Sequence, residues 1–467
     1  MVNRAMEMIE NRTFDEIKVG DSASLSRTLT REDVQLFAVM SGDVNPAHVD
    51  EEYAKSDLFH KIVAHGMWGG TLISTLLGTK LPGPGTIYLS QTLRFRKPVA
   101  LGDTITVSVT ASARDSAHHR ITFDCRCVNQ NDEVVIEGIA EVLAPTEKVR
   151  RPRAILPTVH MHDRGARYRQ LIEMTRGLEP LRTAVVHPVD RNSLLGALDA
   201  AQASLIVPVL VGPEAKIRAV AAAESVDLSP YRLVPTRHSR EAAERAVAMV
   251  RTGEVEALMK GSLHTDELMQ AVVAKETGLR TARRISHVFV VDVPTYARPL
   301  FITDAAINIA PDLDAKRDIV QNAIDLAHVL GIEQPRVAIL SAVEMLNPQI
   351  QSTIDAAALC KMADRRQITG GILDGPLAFD NAVSEEAARV KGIESPVAGR
   401  ADILVVRDLE SGNMLAKQLE YLGEAQSAGI VLGARVPIVL TSRADSPLAR
   451  MASCAVALLY ARRGPKL

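Results

Sequence analysis

The sequence predicts two units of different class in one chain. The first is an α+β unit in which an antiparallel sheet wraps one buried helix. The second is a larger α/β unit with a mostly parallel sheet. Three observations carry this reading. Residues Gly66 to Lys80 are apolar on nearly every side, as a buried helix is, and four strand-like segments follow. Between Pro145 and Pro157 the pattern breaks at three prolines and four basic residues. From Arg164 onward, near-continuous apolar segments alternate with helical ones, as parallel strands joined by helices do.

The chain has 467 residues, room for two to four domains at roughly 100–200 residues each. A net charge of −2 offers no electrostatic case for nucleic acid, and 3% aromatic residues argue against base or sugar stacking. The four cysteines, Cys125, Cys127, Cys360 and Cys454, form no CxxC, so neither a zinc site nor a disulfide framework is expected and no metal is assigned. That usage fits a reducing cytoplasm. Met1 to Asp15 carries acidic residues and no continuous apolar run, so it is not read as a signal peptide. No stretch of ~18 apolar residues is present, so no membrane span is expected.

In the first unit, Thr13 to Thr28 reads as a strand region entering a helix. Thr30 caps that helix with Asp33 three residues on, and Ser41-Gly42 stops it. The octapeptide Ser41 to His48, SGDVNPAH, then sets a carboxylate, Asp43, and an imidazole, His48, in one short loop. Pro46 fixes its own φ and restricts Asn45, so the loop bends. Two readings stay open: an acid/base pair sharing one water, or an Asx-type turn with His48 solvated. Asp50 to Leu58 reads as a short polar helix. His65, at the start of the apolar helix, reads as a residue bonded to backbone. The strands are expected at 86–99, 103–113, 120–128 and 134–143.

The runs SGDVNPAHVD, AHGMWGG and GTIYLSQTLRFRKPVALGDTI, in that order, resemble the MaoC-like, (R)-specific enoyl-CoA hydratase family. The resemblance covers roughly Thr13 to Ala144. It implies a hot-dog fold over 13–145, usually paired into a dimer, with Asp43 and His48 as the catalytic pair. It sets Ser74 and the backbone around Gly66 near the thioester. The residue types suit the reaction: an acid/base pair positions water, and N–H groups opening the Gly66 helix meet the enolate oxygen. The segment 146–163 is expected to be a solvated, semi-stiff linker rather than a patch for CoA phosphates.

Beyond it, strands are expected at 182–189, 203–211, 257–259, 285–293, 300–303, 336–340, 371–373, 403–406 and 437–440, with helices such as 193–203, 314–330 and 416–428. There is no GxGxxG and no GxxxxGK[ST]. The segments MKGSLHTDELMQAV, ISHVFVVDVP, ITDAAINIAPDL, LDGPLAFDNAVS, AGRADILVVRDLESGNMLAKQL and PIVLTSRADS resemble the phosphate acetyltransferase/butyryltransferase family over 164–467. The resemblance implies an α/β domain of two subdomains that moves an acyl group between CoA and phosphate without a redox cofactor. Asp445 is the first candidate base and Asp304 the second. Arg443 is suited to grip phosphate bidentately and Ser442 to donate to the acyl phosphate. Gly412 and Asn413, at an expected helix start, offer amides to an anion. Lys260, His264, Thr265, Asp374 and Gly375 lie in the remaining matching motifs as substrate-binding candidates. The motif near residue 260 departs from the acetyl type, which carries Ser-Gly and a following Arg. Here it reads Lys260-Gly261, with Met269 and Gln270 in place of the Arg, and Arg280, Arg283 or Arg284 are the substitutes on offer; the Lys-Gly form and LDGPLAFDNAVS resemble the butyryl branch more closely, so acetyl and butyryl both stay open as the acyl group.

The whole-chain expectation is a bifunctional enzyme, an enoyl-CoA hydratase fused to a phosphate acyltransferase. It would act on CoA thioesters with no tightly bound cofactor, as a cytoplasmic homo-oligomer. The alternative is a phosphate acyltransferase whose first domain only binds acyl-CoA or dimerises. A metal- and NAD-dependent decarboxylating dehydrogenase would need an acidic metal cluster that the sequence lacks.

Overall fold

A computed structural model describes residues 7–157, 159, 161, 163, 165–440 and 445–465. The chain divides into two units, Met1–Met161 and His162–Leu467.

The first unit contains β1 (Met8–Glu10), β2 (Ser22–Thr28), α1 (Arg31–Ser41), α2 (Pro46–Val49), α3 (Glu51–Ser56), α4 (Gly66–Thr79), β3 (Ile87–Phe95), β4 (Thr104–Asp115), β5 (Arg120–Val128), β6 (Val134–Leu143) and β7 (Arg150–Pro152). Helix α1 starts at a capping box: Thr30 accepts the Asp33 N–H and Asp33 returns a bond to the Thr30 N–H. It ends at Gly42, whose φ of 75° costs a glycine little. The sheet, ordered β2-β4-β5-β6-β3, is antiparallel and wraps α4, a hot-dog arrangement. Period-2 patterning turns Ile105, Val107 and Val109 of β4 inward, and Ile121, Phe123, Cys125 and Cys127 of β5. They pack on Trp68, Leu72, Ile73, Leu76 and Leu77 of α4. Each such side chain contributes ~1.5–3 kcal/mol by leaving water.

Two expectations change here. Residues 146–152 are not linker: β7 pairs antiparallel with β1, and Lys148 Nζ lies 2.8 Å from Glu16. The basic run meets acidic partners supplied from far back in the chain. Strand β3 ends at Phe95 rather than 99, and at the sheet edge its Ile87, Leu89 and Phe95 are exposed.

The second unit contains α5 (Ala166–Glu173), β8 (Leu181–Val186), α6 (Arg191–Gln202), β9 (Ile206–Gly212), α7 (Glu214–Ala223), β10 (Arg232–Pro235), α8 (Ser239–Arg251), β11 (Ala257–Lys260) and α9 (Thr265–Val272). It continues with β12 (Ser286–Asp292), β13 (Leu300–Thr303), α10 (Leu313–Val329), β14 (Arg336–Leu340), α11 (Gln351–Asp364), β15 (Ile372–Leu377), α12 (Phe379–Val383) and α13 (Glu385–Val390). It closes with β16 (Ile403–Val405), α14 (Leu409–Leu422), β17 (Gln426–Leu432), β18 (Ile438–Val439) and α15 (Pro447–Arg463). Its 11-stranded sheet runs β10-β9-β8-β11-β18-β17-β12-β13-β16-β14-β15. The outer blocks, β10 to β18 and β13 to β15, are each parallel inside. Antiparallel β17 and β12 join them, so the two blocks run in opposite directions.

Strand β10 and strand β17 were not expected. The helix anticipated over 416–428 stops at Leu422, because Gly423 caps it and Glu424 takes a positive φ of 52°. The chain then enters β17, fully buried from Ala428 to Leu432. Among the described residues no helix is long and apolar enough to cross a membrane.

Candidate active sites

In the first unit the octapeptide folds as a chain of small turns. Ser41 Oγ accepts the Asp43 N–H at 3.2 Å, Asp43 Oδ1 accepts the Asn45 N–H at 3.2 Å, and Asn45 caps α2 through the Ala47 N–H at 3.1 Å. The Asx-turn bonds are therefore present. So is the convergence that an acid/base pair needs. Asp43, His48 and His65 each bring one carboxylate oxygen or ring nitrogen to within 4.8 Å of the others.

The His48 ring is held by Nδ1, 2.8 Å from the Val63 carbonyl. A carbonyl only accepts, so Nδ1 carries the proton and Nε2 is left bare. Val63 is itself fixed by a bridge to Ala100, and the Ala64 N–H donates to Val99 at 2.8 Å. Asp43 is exposed and His48 half-buried, which suits groups that meet a substrate. His65 is 3% exposed, and its ring lies 4.0 Å from the His48 ring at 34°. As the sequence implies, His65 bonds backbone: its Nε2 lies 3.0 Å from the Asp43 carbonyl. Gly66 opens α4, so its N–H is among those with no partner inside the helix. A side chain there would reach to 3.1 Å from the Phe95 ring. Ser74 is exposed on α4, eight residues on, which is ~12 Å along the axis.

In the second unit a cavity of about 960 Å³ opens between the start of α9, the segment before β12, the turn after β13 and the start of α10. Thr265, Met269, Gln270, Arg280, Arg283 and Arg284 are among its lining. Of the residues singled out as substrate-binding, only Thr265 lines it. The three substitute arginines all do, but they are not equivalent. Arg283 is paired with Asp325, and Arg284 Nε donates to Asn308 Oδ1 at 2.7 Å. Arg280 is exposed, its backbone bridged to Ala434.

Asp304 organises this wall rather than facing the cavity. It is 3% exposed, and its carboxylate accepts N–H groups from Ala306, Ile307 and Asn308 and the Asn308 side-chain amide at 2.6 Å. Burial pushes its carboxyl above the ordinary range, against the pull of those donors. The expectation of Asp304 as a substrate-facing base is corrected on that ground. Gly412 is corrected too. It lies in the second turn of α14, and its N–H already donates to the Asp408 carbonyl at 3.1 Å, so no amide is open to an anion. A Cβ there would come within 3.0 Å of the Asp304 carbonyl oxygen. Asn413 donates to Ala305 at 3.3 Å.

Lys260 is buried at the end of β11, and exposed His264 precedes α9. Asp374 and Gly375 lie on β15, at the far edge of the sheet. The Asp374 carboxylate accepts the Gly375 N–H at 2.8 Å, and a Cβ added at Gly375 would lie 2.7 Å from the Ile339 carbonyl oxygen. Neither residue is brought to the cavity. Ser442 and Arg443 lie outside the described residues. Asp445 borders a separate cavity of about 360 Å³ with Tyr168, Glu420 and Gln426. Sequence reading undervalued Asn308, which ties Arg284 to Asp304. A buried Asn inside a DAAINIAPDL turn is the signal that was available.

Comparison with known proteins finds two families in order along the chain. The family described as MaoC like domain matches residues 16–129, and that described as Phosphate acetyl/butaryl transferase matches residues 234–458. A phosphate acetyltransferase from Rhizobium meliloti is 65% identical over 298 residues, covering 64% of this chain and 94% of that protein. A solved branched-chain phosphotransacylase from Enterococcus faecalis is similar with a TM-score of 0.53 and 30% identity, covering 61% of this chain and 100% of that one. A solved R-hydratase from Pseudomonas aeruginosa is similar with a TM-score of 0.33 and 41% identity, covering 33% of this chain and 100% of that one.

Proposed function

Since this chain belongs to the phosphate acetyl/butyryl transferase family and carries a MaoC-like domain ahead of that part, we propose that it is a bifunctional acyl-CoA enzyme. The first unit adds water reversibly across C2 and C3 of a trans-2-enoyl-CoA to give the (R)-3-hydroxyacyl-CoA. What supports this is the convergence of the Asp43 carboxylate and the His48 imidazole at the start of α4. With Nδ1 committed to Val63, His48 offers Nε2 to the same water as Asp43. The pair takes one proton as the water oxygen bonds C3, and a proton returns to C2. Negative charge developing on the thioester oxygen is met by N–H groups of the first turn of α4, from Gly66 on.

The second unit passes an acyl group between CoA and phosphate. A phosphate oxygen bonds the thioester carbonyl carbon, and the CoA sulfur leaves and takes up a proton. The arginine-lined cavity supports this half, since guanidinium groups suit phosphate. Acetyl is the proposed acyl group, because the relative at 65% identity is named an acetyltransferase and the branched-chain enzyme stands at 30%. Neither step moves electrons, so no tightly bound cofactor is proposed. The protein is proposed to be a cytoplasmic homo-oligomer, in which a second copy covers Ile87, Leu89 and Phe95 on edge strand β3.

Crotonyl-CoA hydration and phosphate-dependent acetyl-CoA cleavage, both measured on the whole protein, test the reading. Asp43→Asn keeps size and hydrogen bonding but removes the base. It is expected to lower hydration ~100-fold or more and leave acyl transfer intact. Unchanged hydration would remove Asp43 from the reaction. A parent protein inactive on crotonyl-CoA would leave a transferase with a non-catalytic first unit.

A further inference from the structure

His65 carries an unusual set of contacts for a buried histidine. Its Nε2 faces the Asp43 carbonyl at 3.0 Å, so the proton sits on Nε2 and Nδ1 is a bare acceptor. That Nδ1 is buried and has no hydrogen-bond partner. An orphaned buried acceptor costs stability, a cost which a phenylalanine or leucine in the same space would not incur. Stability therefore does not account for a histidine here.

Its surroundings do. One ring touches every element of the hydratase site: Phe37 of α1 stacks at 4.8 Å, His48 of α2 at 4.0 Å, and the loop between them is held through the Asp43 carbonyl. The His65 carbonyl accepts the Trp68 N–H at 2.9 Å, so the same residue forms the first turn of α4. The base comes from one segment and the oxyanion donors from another. His65 is the covalent start of the second and the hydrogen-bonded anchor of the first.

We infer that His65 is a positioning residue for hydration. Its Nε2–H tether to the Asp43 carbonyl sets the Asp43–His48 pair at a fixed distance from the N–H groups of α4. It acts through those groups and does not touch the substrate. The inference rests on the proposed hydratase reading. A misplacement of even an ångström at a reacting pair lowers turnover steeply while leaving the binding of the distant CoA moiety intact.

The test is a pair of substitutions in the full chain. His65→Phe keeps a ring between Phe37 and His48 and removes both the tether and the orphaned nitrogen. His65→Gln keeps an N–H donor of similar reach and removes the ring. For His65→Phe, crotonyl-CoA kcat is expected to fall at least tenfold with KM within threefold, and the melting temperature to hold or rise. His65→Gln is expected to recover at least a third of the parental kcat. Fluorescence of Trp68, the chain's one tryptophan and three residues away, reports that the unit is folded, and phosphate-dependent acyl transfer serves as an internal control. His65→Phe with parental kcat would overturn the inference, as would a His65→Gln enzyme no better than His65→Phe. Loss of activity in step with loss of folded signal would assign His65 to stability alone and overturn it equally. A parent without hydration fails the function reading instead, before any variant is made.

Discussion

Lowering the pH should destabilise the second unit through one residue, His287. It lies on β12 in the middle of the sheet, 1% exposed, edge-on to Phe289 at 4.3 Å, with Nδ1 buried and unpartnered. A Cβ on Gly429 of β17 would come within 2.8 Å of its Nε2, so nothing but glycine fits beside the ring. Burial is the whole cause of a folded-state pKa lowered to about 3, because no carboxylate offsets the lost hydration of the imidazolium. The unfolded chain has an ordinary histidine near pH ~6.5. Between those values the unfolded state binds a proton that the folded state refuses, so stability falls as the pH falls. The loss is about 2 kcal/mol at pH 5 and about 4 kcal/mol at pH 3. For a unit of this size, 2 kcal/mol corresponds to ~3 °C in melting temperature. His287→Leu is close in volume and cannot titrate. Urea unfolding of parent and variant at pH 7 and pH 5 isolates the term, since the carboxylates common to both cancel in the difference. Trp68 belongs to the first unit, so the second is followed by far-ultraviolet circular dichroism where fluorescence is silent. A parent and a His287→Leu variant that lose equal stability between pH 7 and 5 would show that the buried ring accepts its proton in place.

Three further outcomes follow from the geometry. Gly138→Ala would drive a Cβ to 1.8 Å from the Thr92 carbonyl oxygen, breaking β3–β6 pairing; a loss of ~3 kcal/mol or more is expected in the Trp68-detected transition, with the second unit unmoved. A cut after Met161 should yield two folded fragments, whereas a cut between Val149 and Arg150 removes β7 from β1 and should lower the first fragment's melting temperature measurably by calorimetry. Arg280→Gln should raise the KM for phosphate or for CoA ~10-fold or more, and Arg284→Gln should instead lower stability, because its guanidinium supports Asn308 and the Asp304 turn; steady-state kinetics beside thermal melts separate the two.

Much of the architecture could be read along the chain because it is set by neighbours a few residues apart. Thr30 with Asp33 marked the start of α1 and Gly42 its end, since capping and a left-handed φ are local. Strands β5 and β6 fell at 120–128 and 134–143 as their alternation required. Asp43 and His48 are five residues apart, so one bent loop suffices to bring them close. What escaped that reading depends on partners far away. The Gln426–Leu432 segment follows a helical run with only Gly423 to break it, and its place as a central antiparallel strand comes from β12 and β18, which flank it. The basic run at 148–152 is solvent-ready by composition and ordered by Glu16 and β1, more than 130 residues earlier. Gly412 and Asp304 carry open hydrogen-bonding groups in the sequence, and folding uses those groups up, on the Asp408 carbonyl and on the turn Ala306–Asn308. His65 shows the same division: its place at the start of α4 is local, whereas its bond to Asp43 spans 22 residues and forms only once the loop after α1 is folded back to the start of α4. Side-chain identity states what a group is able to bond, and packing selects which of those bonds water no longer makes.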